Sequence, residues 1–256
     1  MRPFGGKILR EEVLKTFFGR CAIFRFYYRE GSGQNNVPIV FLHGWGGDGH
    51  SFDAVSGRLS EFDRYSPDLY GFGRSPLERV MTVDEYADSV AEFLRTTVKR
   101  RALVVAHSFG GRVAVSLAAR YPSLIAGTVL VSSAGMKPRR RASYYFKVAR
   151  YKILKAFGRA PANAGSADYR GSSGYLRGVM SLAVRFYQEG QCKKISVPVL
   201  VIYGKQDRET PPYTAKRFHR LIKGSGLIAL DGDHFCYLRN AALFAEITRA
   251  FARGIT

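Results

Sequence analysis

The sequence predicts an α/β protein built on a mostly parallel, doubly wound sheet. Several short apolar runs have no alternating polar face, and helical patterns separate several of them. These runs are residues 38–44, 102–108, 127–133, 198–204 and 226–232. Strands that are apolar on both faces need helices on both sides of the sheet, and parallel pairing needs the long crossovers that helices supply. With 256 residues, 46% of them hydrophobic, the chain is long enough to bury one such core.

The composition excludes several classes of protein. The three cysteines, Cys21, Cys192 and Cys236, are scattered and odd in number, which argues against a disulfide framework and against a zinc site. The basic N-terminal stretch lacks an apolar run of signal-peptide length, and no uncharged run approaches the length of a bilayer span. The sequence therefore predicts a soluble, cytoplasmic protein that uses neither metal nor cofactor.

The net charge of +20 is concentrated in one segment. Residues 136–195 contain fourteen Lys or Arg against Asp168 and Glu189. Basic residues mixed with aromatic ones at helical spacing also occur in helices that bind nucleic acid or membrane surfaces. We favour the simpler interpretation, a solvated basic surface that attracts anionic substrates or an acidic surface weakly, and we predict no specific nucleic-acid partner.

One helix between the strands has a clear start signal. From residue 82 to 98 the apolar residues share one helical face, and Thr82 with Glu85 three positions later forms a capping-box pattern.

The regular alternation breaks between residues 136 and 195, where glycine and serine residues interrupt helical pieces. The predicted organisation is a core of residues 1–135 and 196–256 with residues 136–195 inserted as a helical cap.

The segment VVAHSFGG (residues 104–111) carries the first chemical signal. It is the end of a predicted strand and the start of a predicted helix, so Ser108 lies on the corner between small residues, Ala106 and Gly110. A serine on such a turn is exposed at the sheet edge, and the following helix N-terminus directs free N–H groups towards an oxyanion. Ser133 in VSSAG is a weaker candidate, because Val131 occupies the crowded position and no helical pattern follows.

A serine nucleophile needs a histidine to accept its proton and an acid to orient that histidine. Of the five histidines, His234 lies in a loop after the last apolar run, where catalytic groups collect in parallel sheets. Asp207 has the equivalent position after the preceding strand. Asp231 and Asp233 remain rivals, although they are too close in sequence to reach the far ring nitrogen easily.

The order Ser108, Asp207, His234 is the order of one hydrolase fold. Five ordered motifs match it: HGWGG (43–47), DLYGFGRS (68–75), AHSFGG (106–111), GKQD (204–207) and GDH (232–234). With these motifs the chain resembles the α/β-hydrolase superfamily, in particular its small capped members related to bacterial esterases and meta-cleavage hydrolases. The similarity extends from Val37 to the C-terminus.

The resemblance implies a serine hydrolase that cleaves an ester or related acyl bond of a small molecule. It implies that the backbone N–H groups of Trp45 and Phe109 form the oxyanion hole, with both residues next to the substrate, and that the cap covers the pocket. Ala106 and Asp233 depart from the usual pattern. A carbon–carbon bond hydrolase remains an alternative, although Phe235 stands where that class commonly has Trp. A non-catalytic receptor or binding member of the fold is a second alternative.

Overall fold

An eight-stranded sheet forms the centre of the computed structural model, which describes residues 8–15, 21–33, 36–139 and 174–255. The strands are β1 (Ile8–Lys15), β2 (Cys21–Arg29), β3 (Ile39–Leu42), β4 (Arg64–Pro67), β5 (Ala102–His107), β6 (Ile125–Val131), β7 (Val199–Gly204) and β8 (Gly226–Leu230). Their order across the sheet is β1-β2-β4-β3-β5-β6-β7-β8. All neighbouring pairs from β4 to β8 are parallel, which confirms the predicted mostly parallel sheet.

Helices cover both faces of this sheet. Over the described residues they are α1 (Asp53–Ser56), α2 (Val83–Phe93), α3 (Ser108–Arg120), α4 (Gly174–Ala183), α5 (Glu189–Cys192), α6 (Pro212–Leu221), α7 (Cys236–Arg239) and α8 (Ala241–Gly254). None of the helices in the described ranges is long and apolar enough to cross a membrane.

The central strands are buried on both faces, as their sequences predict. Every residue of β3, β5 and β6 is buried. Alternate residues of β5 enter opposite cores: Val104 packs with the cluster that includes α2 and α3, whereas Val105 packs with the cluster that includes α1 and α8. Because successive strand residues point to opposite faces, a strand between two helical layers has no polar side to show.

The first two strands were not predicted from the sequence. β1 pairs antiparallel with β2, and β2 pairs antiparallel with β4, so they extend one edge of the sheet. The run ILREEVLK of β1 contains four charged residues among its eight and lacks the continuous apolar pattern of the inner strands. An edge strand pairs on one side only, so it need not have an apolar signature of this kind.

The predicted capping box starts α2. The Thr82 hydroxyl accepts a hydrogen bond from the Glu85 N–H at 3.2 Å, and the Glu85 carboxylate accepts one from the Thr82 N–H at 2.7 Å. This pair satisfies two of the N–H groups that a helix start leaves free.

The predicted cap lies largely outside the described residues, since residues 140–173 are not among them. Its described end contains α4 and α5 and returns to the core through Gln188. The Gln188 N–H donates to the Gly135 carbonyl at 2.9 Å, and its side-chain amide donates to the Arg112 carbonyl of α3 at 2.8 Å. A helical cap with boundaries at 136 and 195 stays a prediction.

Candidate active site

Ser108 lies on a tight corner between β5 and α3. Its φ of +49° is one of three positive values among the described non-glycine residues. A β-carbon added at Gly110 would lie 2.3 Å from the Leu42 carbonyl oxygen and 2.6 Å from that of His43, so this position requires glycine. Strained backbone that the surrounding structure holds in place is typical of functional sites. The predicted corner at Ser108 is therefore present, and it is packed directly against the end of β3.

The rival serine is placed differently. Ser133 follows β6, is buried, and donates its hydroxyl hydrogen to the Ala134 carbonyl at 3.1 Å. No helix follows it within the residues described up to 139. The structure thus gives Ser133 neither the strand-to-helix corner nor the exposure of Ser108.

His234 and Asp207 meet from two different loops. Nδ1 of His234 lies 2.9 Å from Oδ2 of Asp207, and both side chains are buried. Asp207 follows β7 and His234 follows β8, so the parallel order of these strands brings the loops to the same sheet edge. Because an ionised carboxylate only accepts hydrogen bonds, Nδ1 carries the proton and Nε2 is left as the basic nitrogen.

The Asp207 carboxylate is held by more than the histidine. Its Oδ1 accepts the backbone N–H groups of Glu209 and Thr210, each at 2.9 Å, and Oδ2 accepts the Thr210 hydroxyl at 2.7 Å. Burial by itself would raise the pKa of Asp207, but the hydrogen bonds from His234 and Thr210 outweigh it and hold that pKa below the ordinary value. The carboxylate is thus ionised and fixed in orientation at neutral pH.

Thr210 was missed by sequence reasoning. Besides its contact with Asp207, its hydroxyl lies 3.1 Å from the Ser132 carbonyl and 3.3 Å from Nδ1 of His234. Ser132 itself has a φ of +44° at the end of β6. The only sequence signal is the position of a threonine three residues after the candidate acid.

His107 forms a hydrogen bond with the backbone of the loop that carries His234. Its Nε2 lies 3.0 Å from the His234 carbonyl oxygen, and since a carbonyl only accepts, Nε2 of His107 carries the hydrogen. The two imidazole rings are 4.7 Å apart. Burial, reinforced by the nearby His234, lowers the pKa of His107 to about 3. His107 is therefore neutral at physiological pH and packs beside the candidate base.

The glycine-rich loop after β3 lies against Ser108. A β-carbon at Gly44 would be 2.6 Å from Nδ1 of His107 and 3.4 Å from the β-carbon of Ser108. His43 shapes this loop: its Nδ1 donates to the Gly44 carbonyl at 2.7 Å, and its Nε2 accepts the Leu69 N–H at 3.0 Å. Burial lowers the pKa of His43, so the neutral ring keeps both contacts.

The two predicted oxyanion donors have free backbone hydrogens. Among the contacts between described residues, neither the N–H of Trp45 nor the N–H of Phe109 donates a hydrogen bond. The Phe109 ring is buried against Tyr86 and the partly buried Trp45, whose ring centroids lie 5.2 and 5.3 Å away. The Phe109 ring is thus part of the core, and the oxyanion role of both N–H groups stays a prediction.

Ser108 and His234 form no hydrogen bond in the structure. Within the described residues, the Ser108 hydroxyl makes no hydrogen bond, and Nε2 of His234 instead lies 3.4 Å from Oε2 of Glu209. In catalytic serine–histidine pairs this hydrogen bond often forms only when substrate is bound. The contact of Glu209 was not predicted from the sequence.

The rival acids lie elsewhere. Asp231 pairs with Lys205 at 2.8 Å, and Asp233 accepts the Phe235 N–H at 2.9 Å. In the part of the chain that the structure covers, no three His, Cys, Asp or Glu side chains are close enough to hold a metal ion.

This fold and its ordered motifs define a carboxylesterase-like hydrolase of the α/β type. The model of the alpha/beta hydrolase family matches residues 39–247, and the chain belongs to that family.

Several proteins to which the chain is similar are named as esterases or lipases. A pimeloyl-(acyl-carrier protein) methyl ester esterase from Neisseria meningitidis is 27% identical over 244 residues, which cover 85% of this chain and 94% of the relative. A solved bacterial membrane phospholipase A is similar with a TM-score of 0.77 and 22% identity, covering 99% of this chain and 88% of that one. A thermophilic esterase from Thermogutta terrifontis gives a TM-score of 0.72 and 20% identity, covering 96% and 99%. The two structures support the fold alone.

Proposed function

We propose that the protein is a serine carboxylesterase in which Ser108 attacks, His234 transfers the proton and Asp207 orients His234. The observation that carries this proposal is the 2.9 Å contact between Nδ1 of His234 and Asp207. It places the proton on Nδ1 and leaves Nε2 basic at the sheet edge where Ser108 begins α3. These are the conditions under which a serine hydroxyl becomes a nucleophile at neutral pH.

The first half of the reaction makes an acyl-enzyme. Ser108 Oγ forms a bond to the ester carbonyl carbon while its proton passes to Nε2 of His234. The carbonyl oxygen becomes an oxyanion, which accepts hydrogen bonds from the N–H groups of Trp45 and Phe109. The C–O bond to the alcohol then breaks, and the leaving alkoxide takes the proton from Nε2.

The second half uses water in place of Ser108. His234 takes a proton from the water as it attacks the acyl carbon, and the proton returns to Ser108 when the acid leaves. Asp207 stays ionised throughout, and its charge stabilises the imidazolium that forms twice in each turnover.

The substrate that we propose is an ester of a small acyl compound. The Neisseria relative is named for a methyl ester whose acyl group is carried on an acyl-carrier protein. A carrier-bound acyl ester is therefore a second candidate here, and the net charge of +20 favours a negatively charged substrate or carrier. The predicted cap, residues 136–195, would cover the acyl group, and we place the enzyme in the cytoplasm.

The test is hydrolysis of a series of methyl and p-nitrophenyl esters of increasing acyl length by the purified full-length chain. We expect Ser108→Ala to lower kcat by at least about a thousandfold, because the remaining site keeps only binding and oxyanion stabilisation. His234→Ala is expected to lose a comparable factor. Ser133→Ala serves as the matched control, and its activity is expected to stay close to that of the wild type.

A fluorophosphonate probe gives an independent readout. We expect one covalent adduct, mapped by peptide mass spectrometry to Ser108. An adduct on Ser133, no adduct, or no ester hydrolysis at all would contradict the proposal. A carbon–carbon hydrolase or a binding protein would then be the better interpretation.

A further inference from the structure

Two carboxylates from one loop face the two ring nitrogens of His234. Asp207 contacts Nδ1 at 2.9 Å, and Glu209, two residues later, lies 3.4 Å from Nε2. Their surroundings differ, since the Asp207 side chain is 0% exposed whereas that of Glu209 is 63% exposed. Asp207 is therefore a fixed part of the site, and Glu209 reaches it from solvent.

No Lys or Arg of the described ranges forms an ion pair with Glu209. Among the described ion pairs, its one partner is His234, whereas Glu61, Glu85 and Glu189 each pair with an arginine. A carboxylate without a cation beside it presents its full negative charge to whatever binds next to Nε2.

The role of Nε2 in the reaction indicates which part of the substrate binds next to Glu209. In the proposed esterase mechanism, Nε2 takes the proton of Ser108 and returns it to the leaving alkoxide, so the reacting ester lies within hydrogen-bond reach of it. Groups attached close to the scissile bond therefore lie next to Glu209. The contact with Nε2 itself attracts only when the ring is protonated, because a neutral Nε2 and a carboxylate both present lone pairs.

We propose that Glu209 is a specificity-determining residue, which disfavours substrates with a negative charge close to the scissile ester and favours substrates with a positive charge there. This inference rests on the proposed esterase function. The effect of Glu209 on an anionic substrate is opposite in sign to the effect of the net charge. The net positive charge attracts an anion to the protein from a distance, whereas Glu209 repels an anionic group at the reacting bond. The substrate class that fits both is an ester whose negative charge lies far from the bond that breaks.

The size of the effect follows from Coulomb's law. Two unit charges about 6 Å apart change a rate about threefold in bulk water and about a hundredfold at an effective dielectric constant of about 20. Glu209 is partly solvated, so we expect an intermediate effect of about tenfold on relative kcat/KM.

The experiment compares wild type and Glu209→Gln on three small methyl esters that differ in charge near the ester. Methyl butyrate is neutral, monomethyl succinate is anionic and betaine methyl ester is cationic. On replacing Glu209, we expect the kcat/KM ratio of anionic to neutral ester to rise about tenfold and that of cationic to neutral ester to fall about tenfold. The intrinsic reactivity of each ester is the same with both enzymes, so it cancels when the ratio in Glu209→Gln is compared with the ratio in the wild type.

Glu246→Gln is the matched control. Glu246 is 66% exposed, pairs with Arg249 on α8, and its replacement changes the net charge by the same unit. We expect both ratios to stay as in the wild type. Unchanged ratios in Glu209→Gln, or a change of the same direction for both charged esters, would overturn the specificity role, because a steric effect does not depend on the sign of charge. If the wild type hydrolysed none of these three esters and no ester of the length series, the esterase function itself would be refuted, which is a different outcome from unchanged ratios in an active enzyme.

Discussion

Replacing His107 by glutamine is expected to make the folded protein less sensitive to acid. His107 is 3% exposed, and its Nε2 donates to the His234 carbonyl at 3.0 Å. A glutamine amide can donate the same hydrogen bond but does not take up a proton. The variant therefore separates the packing role of this side chain from its titration.

The sign and size of the effect follow from the pKa of His107. Burial and the neighbouring His234 lower it from 6.5 to about 3. Between these two pH values the unfolded chain binds a proton that the folded protein does not, so the free energy of unfolding decreases as the pH falls. Each pH unit in this window costs about 1.4 kcal/mol, and the full window costs about 5 kcal/mol. Above about pH 6.5 the contribution is complete and does not change.

The assay is urea unfolding of wild type and His107→Gln at several pH values from about 7 to about 4. Below pH 6 we expect the wild-type free energy of unfolding to fall more steeply than that of the variant, by about 1.4 kcal/mol per pH unit. Val105→Ala, at a fully buried position on the same strand, is the control. It removes packing without removing a titrating group, so its curve is expected to run parallel to the wild type, displaced by about 2 kcal/mol. A parallel curve for His107→Gln would refute the reasoning.

Three further predictions concern the candidate acid Asp207, its neighbour Thr210 and the basic surface. Asp207→Asn is expected to lower kcat about ten-thousandfold without unfolding the chain, because an amide that faces Nδ1 of His234 moves the ring proton to Nε2. Thr210→Val is expected to lower kcat about tenfold at similar KM, because it removes one hydrogen bond to the Asp207 carboxylate. Steady-state kinetics with circular dichroism as the folding control test both, and full activity of Asp207→Asn would assign the acid to another residue. Because residues 136–195 are strongly basic, kcat/KM for an ester with a remote carboxylate, monomethyl sebacate, is expected to fall as salt is added, while a neutral ester of similar length shows no such trend. Parallel salt curves for the two esters would remove the idea of electrostatic steering.

The sequence predicted those parts of the fold whose signals are local. The capping box of Thr82 and Glu85 uses residues three positions apart, and both of its hydrogen bonds are present. The continuous apolar runs predicted β3, β5 and β6, since a strand buried on both faces has no polar alternation. The edge strand β1 was missed because a strand that pairs on one side only, and that contains four charged residues among eight, lacks this signature.

Some residues of the candidate site were also predicted from the sequence. Ser108 was predicted from small neighbours at a strand-to-helix corner, and the structure has that corner with a positive φ. Asp207 and His234 were selected as the loop residues that follow two predicted strands, and they form a hydrogen bond. Their catalytic roles stay predictions that the variants above test, and the oxyanion role of the Trp45 and Phe109 N–H groups stays a prediction as well.

By itself the sequence determined the alternation of strands and helices, the start of α2 and the loops that carry the candidate triad, because each depends on residues close together in the chain. Only the tertiary structure decided which side chains meet across loops. His107 contacts the carbonyl of a residue 127 positions away, and Thr210 spans Asp207 and the end of β6. Likewise, a glutamate two residues after an aspartate gives no sign of which one faces Nδ1 of the histidine and which faces Nε2. That choice depends on backbone direction and burial at the sheet edge, which arise when distant strands pack in parallel.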